Sequence, residues 1–162
     1  MNIFVLDRDP SQAAAMLCDC HLRKMCVETA QILSGVMLRR GMPLLDDMPK
    51  PQNINHPVIV AADAASPTLD WVVNYNFSLH QEFKYRFDKP HAYLRISLKY
   101  IADLWYKATT GDCIHLAKCC GDLDVSDMDI GAAYRKYYTE IKKPQLQAKG
   151  LWQFTAREDW TK

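Results

Sequence analysis

His21, Lys24, Glu28 and Gln31 recur at i, i+3, i+7 and i+10 within the segment DPSQAAAMLCDCHLRKMCVETAQILSGV. At about 100° per residue they share one side of a helix with Leu17, Met25 and Ile32, so that side is expected to face inward. Gln12, Asp19, Arg23, Cys26 and Ala30 fall opposite and read as the solvent face. Polar groups in a row on an inward face are costly unless they pair or line a cleft. Two readings stay open: a satisfied buried network tied to another helix, or a functional cleft. In the cleft reading Glu28 stabilises an oxocarbenium-like centre or acts as a general base, and His21 is its partner acid or holds the substrate. Lys24 then holds phosphate, and Gln31 completes the stripe.

A second constellation lies downstream. Tyr75, Leu79, Glu82 and Arg86 share a helix face, with Lys89 and His91 immediately after. Glu82 and Arg86 form an i, i+4 pair, which on a solvated surface is worth only a few tenths of a kcal/mol. The functional alternative sets this face against His21, Lys24 and Glu28, with Arg86 and Lys89 holding phosphate. In AYRKYYTEIKK, Tyr134, Tyr137 and Tyr138 interleave with Arg135, Lys136, Lys142 and Lys143. Such a mixture can stack on bases while cations hold phosphate. The i, i+3, i+4 spacing suits core packing equally well. Trp152 is a further candidate for stacking on a base.

These residues need elements to hold them. Asp9 is placed to cap a helix with Pro10 at its first position, running to the neighbourhood of Arg39. Asn2–Leu6 reads as a strand or an extended lead-in. Gly41 to Pro57 is a long Pro- and Asp-rich loop. Val58–Ala62 is a strand or a helix start. Ser66-Pro67 opens a second helix to about Phe87, which Asp88-Lys89-Pro90 breaks. Leu94, Leu98, Ile101 and Trp105 mark a third helix ended by Gly111. Cys113–Asp127 is a loop or short helix. A fourth helix covers about Met128–Lys143 and stops at Pro144. Trp152, Phe154 and Trp160 lie close together in the tail. The expected fold is mainly α, one compact helical domain over residues 1–162 with at most a small strand pair from the N-terminus and Val58–Ala62.

With 162 residues, 49% hydrophobic and 24% charged, the chain has the composition of a soluble globular domain. No apolar run approaches the length of a membrane span, and the first residues carry no basic leader, so an intracellular protein is expected. The six cysteines lack the C-x₂₋₄-C spacing of structural zinc sites and read as free, mostly buried thiols. No residue is assigned to a metal and no cofactor is expected. Net charge is +1, but residues 101–130 hold six acids against two lysines, and residues 131–162 seven bases against three acids. This suits a local phosphate-binding surface and not a protein that grips long DNA mainly by charge.

The string FVLDRDPSQAAAMLCDCHLRKMCVETAQIL resembles a family of short phage-encoded proteins that share an LDxDPxxAA…CDxHxxKMxxExAQ opening. Asn55-His56-Pro57, the Glu82…Arg86…Lys89…His91 stretch and Tyr134-Arg135…Tyr137-Tyr138 add to that resemblance. On it, His56 and Arg135 join the substrate- and phosphate-binding candidates. A weaker resemblance is to the pyrimidine-dimer DNA glycosylase (endonuclease V-like) family, a small, mostly helical fold. Its first helix carries a His and, seven residues later, a catalytic Glu in an HLxxExRE pattern; His21-Leu22 and Glu28 have that spacing. The Glu and Arg that precede the family's catalytic Glu correspond to Met25 and Val27, so the phosphate-holding arginine is missing. The family's nucleophile is its N-terminal α-amine, presented just before the helix. Here roughly eight extra residues precede the helix, and Asn2 is too large for efficient removal of Met1. A Schiff-base lyase step is therefore not expected, and what carries over is hydrolysis or transfer at a glycosidic bond. The expected function is a phage-encoded protein acting on DNA or a nucleotide, as a DNA glycosylase-like enzyme at a nucleobase or its N-glycosidic bond. The alternative is a non-enzymatic phage protein that binds a nucleotide or a host protein.

Overall fold

The computed structural model describes residues 2–44, 46–94 and 116–162. Their regular structure is helical: α1 (Pro10–Ala15), α2 (Asp19–Arg39), α3 (Pro57–Ala64), α4 (Ser66–Phe87), α5 (Ile130–Tyr137), a π-helical turn (Tyr138–Lys142) and α6 (Lys143–Gln147). The mainly α expectation holds, and no strand forms among the described residues. Val58–Ala62 belongs to α3. The expected helix through Leu98, Ile101 and Trp105 lies outside the described residues.

Asp9 caps α1 as expected, accepting from the backbone N–H of Ser11 at 2.7 Å and of Gln12 at 3.1 Å. The helix does not run on to Arg39. It stops at Met16, Cys18 is extended (φ −68, ψ 159), and α2 starts afresh at Asp19. Distant side chains satisfy the carbonyls released at this break: Arg86 donates to Ala15 and Leu17, and the Trp160 indole donates to Met16. The break thus depends on residues more than sixty positions away in sequence.

α2 is central. α3 and α4 pack on it, and α4 also lies along α1. Asp19, Cys26 and Ala30, placed on the solvent side by periodicity, are therefore buried, while Arg23 and Gln12 are exposed. Gly35 lets α3 come close: a Cβ there would lie 2.5 Å from the Ile59 Cδ1 methyl. α4 ends where Asp88 turns left-handed (φ 51), a conformation that short polar side chains tolerate, followed by Pro90.

Asn2–Leu6 is extended and threads the core, with Ile3, Phe4, Val5 and Leu6 all buried. Buried backbone in a single extended segment needs partners other than a neighbouring strand. The Tyr75 hydroxyl donates to the Phe4 carbonyl, and Arg135 donates to that of Leu6 at 2.7 Å.

Pro144 does not end the last helix. The π-helical turn just before it widens the chain, and α6 carries Pro144 in its first turn, where a missing N–H is tolerated. The tail then folds back, with Trp152 and Trp160 5.3 and 6.1 Å from the Tyr138 ring.

Candidate active site

The polar stripe of α2 divides into two ends with different environments. At the His21 end it is a closed network. His21 is buried, its ring packs 4.7 Å from that of Phe4, and Nδ1 lies 2.9 Å from the Tyr138 hydroxyl. That hydroxyl also accepts from the Cys18 N–H and donates to the Cys18 sulfur. The set is satisfied when His21 carries its proton on Nδ1. Burial, reinforced by the Cys18 sulfur, pushes the Tyr138 phenol well above its ordinary range. Cys18 and Cys20 sit sulfur to sulfur at 3.5 Å. The Cys20 thiol, with help from His21 and Tyr138, lowers the Cys18 thiol despite its burial, and Cys20 is raised in turn.

At the Glu28 end the stripe reaches the surface. The Glu28 side chain is 11% exposed and its Oε1 lies 3.5 Å from the Lys24 ammonium, whose side chain is 55% exposed. Gln31, half-buried, makes one long contact, to the Lys50 carbonyl at 3.5 Å. On the inner side, the backbone nitrogen of Asn2 donates to Glu28 Oε2 at 3.3 Å. Tyr134, buried beneath, fixes this arrangement. Its hydroxyl donates to Asn2 Oδ1 and to the Ala117 carbonyl at 3.3 and 3.2 Å, one proton serving both, and accepts from the Cys119 N–H. The Asn2 amide also donates to the Cys119 carbonyl at 3.2 Å.

The roughly eight extra residues before the helix thus do not carry the chain start away from Glu28. Residues 2–6 among them run back beside α2, with Phe4 against His21 and the Asn2 nitrogen at Glu28. Linear spacing gave no sign of this return.

Residues 1–93 match the family model of pyrimidine dimer DNA glycosylase. The chain belongs to the pyrimidine dimer DNA glycosylase family. No curated protein and no solved structure matches it. The glycosylase match covers the N-terminal segment, α1 to α4 and His91, and so includes His21, Lys24 and Glu28. Family membership supports a DNA glycosylase-like function. Residues 94–162, with Tyr134, Tyr138 and Trp152, lie beyond the match.

Several other candidates have internal partners. Arg86 is 0% exposed at its side chain and donates to Glu82 Oε1 at 2.7 Å, Asp19 Oδ1 at 3.0 Å and two carbonyls, which leaves it no face for phosphate. Glu82 is held on its other side by Arg157, two bonds of 2.8 Å. Glu82 and Arg86 therefore meet Asp19, the α1 terminus and the tail, while Tyr75 on the same face reaches the N-terminal segment at Phe4. Tyr134 and Tyr138 are fully buried and cannot stack on a base. Arg135 holds the Leu6 carbonyl, and His56 caps α3 through Val58 N–H at 3.3 Å. Trp152 is half-buried, bonded to Asp159 at 2.9 Å, and lines an open tail groove with Phe154, Arg157 and Trp160. Lys89 is exposed and lines a second open pocket with Arg23, Phe83, Phe87 and His91. Arg23, its guanidinium 4.6 Å from the Phe87 ring, was assigned by periodicity to a plain solvent face and not to a pocket.

Burial would raise the Glu82 carboxyl, but the hydrogen bonds from Arg157 and Arg86 outweigh it and hold it below its ordinary value of 4.5. A depressed folded value means the stabilisation is fully present above 4.5 and is lost as pH falls through the folded value. The wild type is expected to lose thermal stability below about pH 4.5, and Glu82→Gln, weaker at neutral pH, to show a flatter acid limb. Melting curves from pH 7 to 3 read this directly; parallel acid limbs would remove Glu82 from the account.

Proposed function

We propose that the chain is a DNA glycosylase that opens the N-glycosidic bond of a pyrimidine in DNA, with Glu28 at the reacting sugar. The observation that supports this reading is the Asn2 nitrogen at 3.3 Å from the Glu28 carboxylate, at the end of the stripe that reaches solvent. A carboxylate beside C1′ stabilises positive charge that develops as the base departs.

The nature of the nucleophile follows from the Asn2 nitrogen. Bonded to Met1, it is an amide and not nucleophilic. Glu28 then takes a proton from water, the water oxygen bonds to C1′, and the base leaves with the glycosidic electron pair and gains a proton. In a chain freed of Met1, the same nitrogen is an amine. It attacks C1′ in place of water as the base leaves with the glycosidic electron pair; loss of the nitrogen's protons and opening of the C1′–O4′ bond then give an imine that borohydride traps. Intact mass of the protein and borohydride trapping on ultraviolet-irradiated DNA separate the two forms. Base release with no trapped adduct assigns the water route.

Lys24 is the exposed cation next to Glu28, and we assign it to a backbone phosphate. Lys24→Ala is expected to weaken DNA binding similarly across sequences and to reduce the salt slope of log K by about 1. An unchanged salt slope, measured by fluorescence anisotropy, places the phosphate contacts elsewhere, with Arg23 and Lys89 the next to test.

The primary test is mass spectrometry of products from ultraviolet-irradiated and modified DNA with the wild type and Glu28→Gln. A base released only by the wild type supports the reading. A nucleotide that stays bound to the protein unchanged, with no product, overturns it in favour of a binding protein.

A further inference from the structure

Cys26 on α2, His80 on α4 and His91 just beyond α4 bring one ligand atom each to within 4.8 Å of one another. They are far apart in sequence, and no spacing motif joins them. His80 is 2% exposed, and among the described residues neither of its ring nitrogens has a hydrogen-bond partner. A buried imidazole without partners is unfavourable unless something else binds its lone pair. His91 Nδ1 accepts from the Tyr93 N–H at 3.4 Å, a long contact that gives way when Nε2 takes a metal, because the ring's one proton must then sit on Nδ1.

We propose that Cys26, His80 and His91 bind a Zn²⁺ ion that fastens the segment after α4 to the α2–α4 pair. The donor set decides the metal: one thiolate and two imidazoles suit Zn²⁺ and not Mg²⁺ or Ca²⁺. Tetrahedral bond lengths put such ligand atoms roughly 3.3–3.6 Å apart, so the side chains close by about 1 Å. His91, half-buried at the end of a loop, is the one free to move. Burial keeps both imidazoles neutral at neutral pH, His80 lowered to about 4 with His91 adding to the effect. Cys26 is pushed up to about 12 by burial, so it enters as a thiol. On binding, its S–H proton passes to water as the S–Zn bond forms. The pocket lined by Arg23, Phe83, Phe87, Lys89 and His91 opens the His91 side to solvent, and water from it serves as the fourth ligand. The inference is independent of Glu28 and of any catalysis.

The full chain, stripped with a chelator and dialysed, is titrated with Zn²⁺ and with Co²⁺. One ion per chain is expected, with a thiolate-to-cobalt charge-transfer band and a rise in melting temperature on adding Zn²⁺. Cys26→Ala is expected to abolish the band and the thermal shift. His91→Ala, at the half-buried edge where folding is preserved, is expected to weaken Zn²⁺ binding by more than the roughly 10–100-fold that loss of an outer-shell partner brings. A Cys18→Ser/Cys20→Ser chain is expected to keep both signals. Folded wild type that takes up no Zn²⁺ overturns the proposal. So does a cobalt band that survives Cys26→Ala and disappears with the Cys18/Cys20 change.

Discussion

Glu28→Gln is expected to cut base release by roughly 10²–10⁴-fold, about 3–5 kcal/mol of transition-state stabilisation, while leaving the fold intact. Glutamine keeps an oxygen acceptor for the Asn2 N–H and nearly the same volume. It removes the negative charge that would face C1′ and the carboxylate that would take a proton from water. The ion pair lost with it, to Lys24, is long at 3.5 Å and keeps its ammonium end in solvent, 55% exposed against 11% for the carboxylate, so it contributes on the order of 1 kcal/mol. The melting temperature should therefore move by only a few degrees. Two measurements on one variant decide the matter: single-turnover base release and chemical denaturation. Turnover retained in a folded Glu28→Gln protein removes Glu28 from the chemistry. A large drop in the denaturation midpoint instead identifies Glu28 as part of a buried structural network, the role that His21 has through Tyr138.

Arg86→Met carries the largest expected loss of stability. The guanidinium is fully buried and joins four acceptors from three parts of the chain: Ala15 and Leu17 where α1 ends, Asp19 where α2 begins, and Glu82 on α4. Removing one partner of a buried ion network typically costs 3–5 kcal/mol, which for a chain of this size is a fall of roughly 6–20 °C in melting temperature. Arg157 and Thr155 still serve Glu82 and Asp19, so the lower half of that range is expected first. Arg86→Lys keeps the charge but not the planar fork, and is expected to recover little. If Arg86 acted on phosphate instead, Arg86→Met would melt like the wild type and bind DNA poorly; thermal melting and anisotropy together distinguish the two.

The stability of this arginine shows where local sequence stops being informative. An i, i+4 Glu–Arg pair on a helix looks the same whether solvated or buried. Only the approach of the α1–α2 break and of the tail residue Arg157 turns Glu82 and Arg86 into a buried network. Tyr134 and Tyr138 are similar. Interleaved with bases they suit either stacking on nucleobases or packing, and the choice fell to packing because residues 2–6 and the Trp152–Trp160 tail cover them.

By itself the sequence determined the helical character, the Asp9 cap, α4 from Ser66 to Phe87 with its stop at Asp88, and the stripe of His21, Lys24 and Glu28. These follow from short-range physics: side-chain periodicity, backbone capping and the restrictions of proline. The His–Glu spacing also carried the glycosylase resemblance, because seven residues are two helical turns and keep both groups on one face. Tertiary structure alone decided the rest. It broke the first helix at Met16, since long-range donors could satisfy the freed carbonyls. It buried Cys26 on the supposed solvent face, since α2 is packed by neighbours on several sides. And it returned Asn2 to Glu28, since an extended apolar segment gains more by threading the core than by lying on the surface, a contact that no linear spacing records.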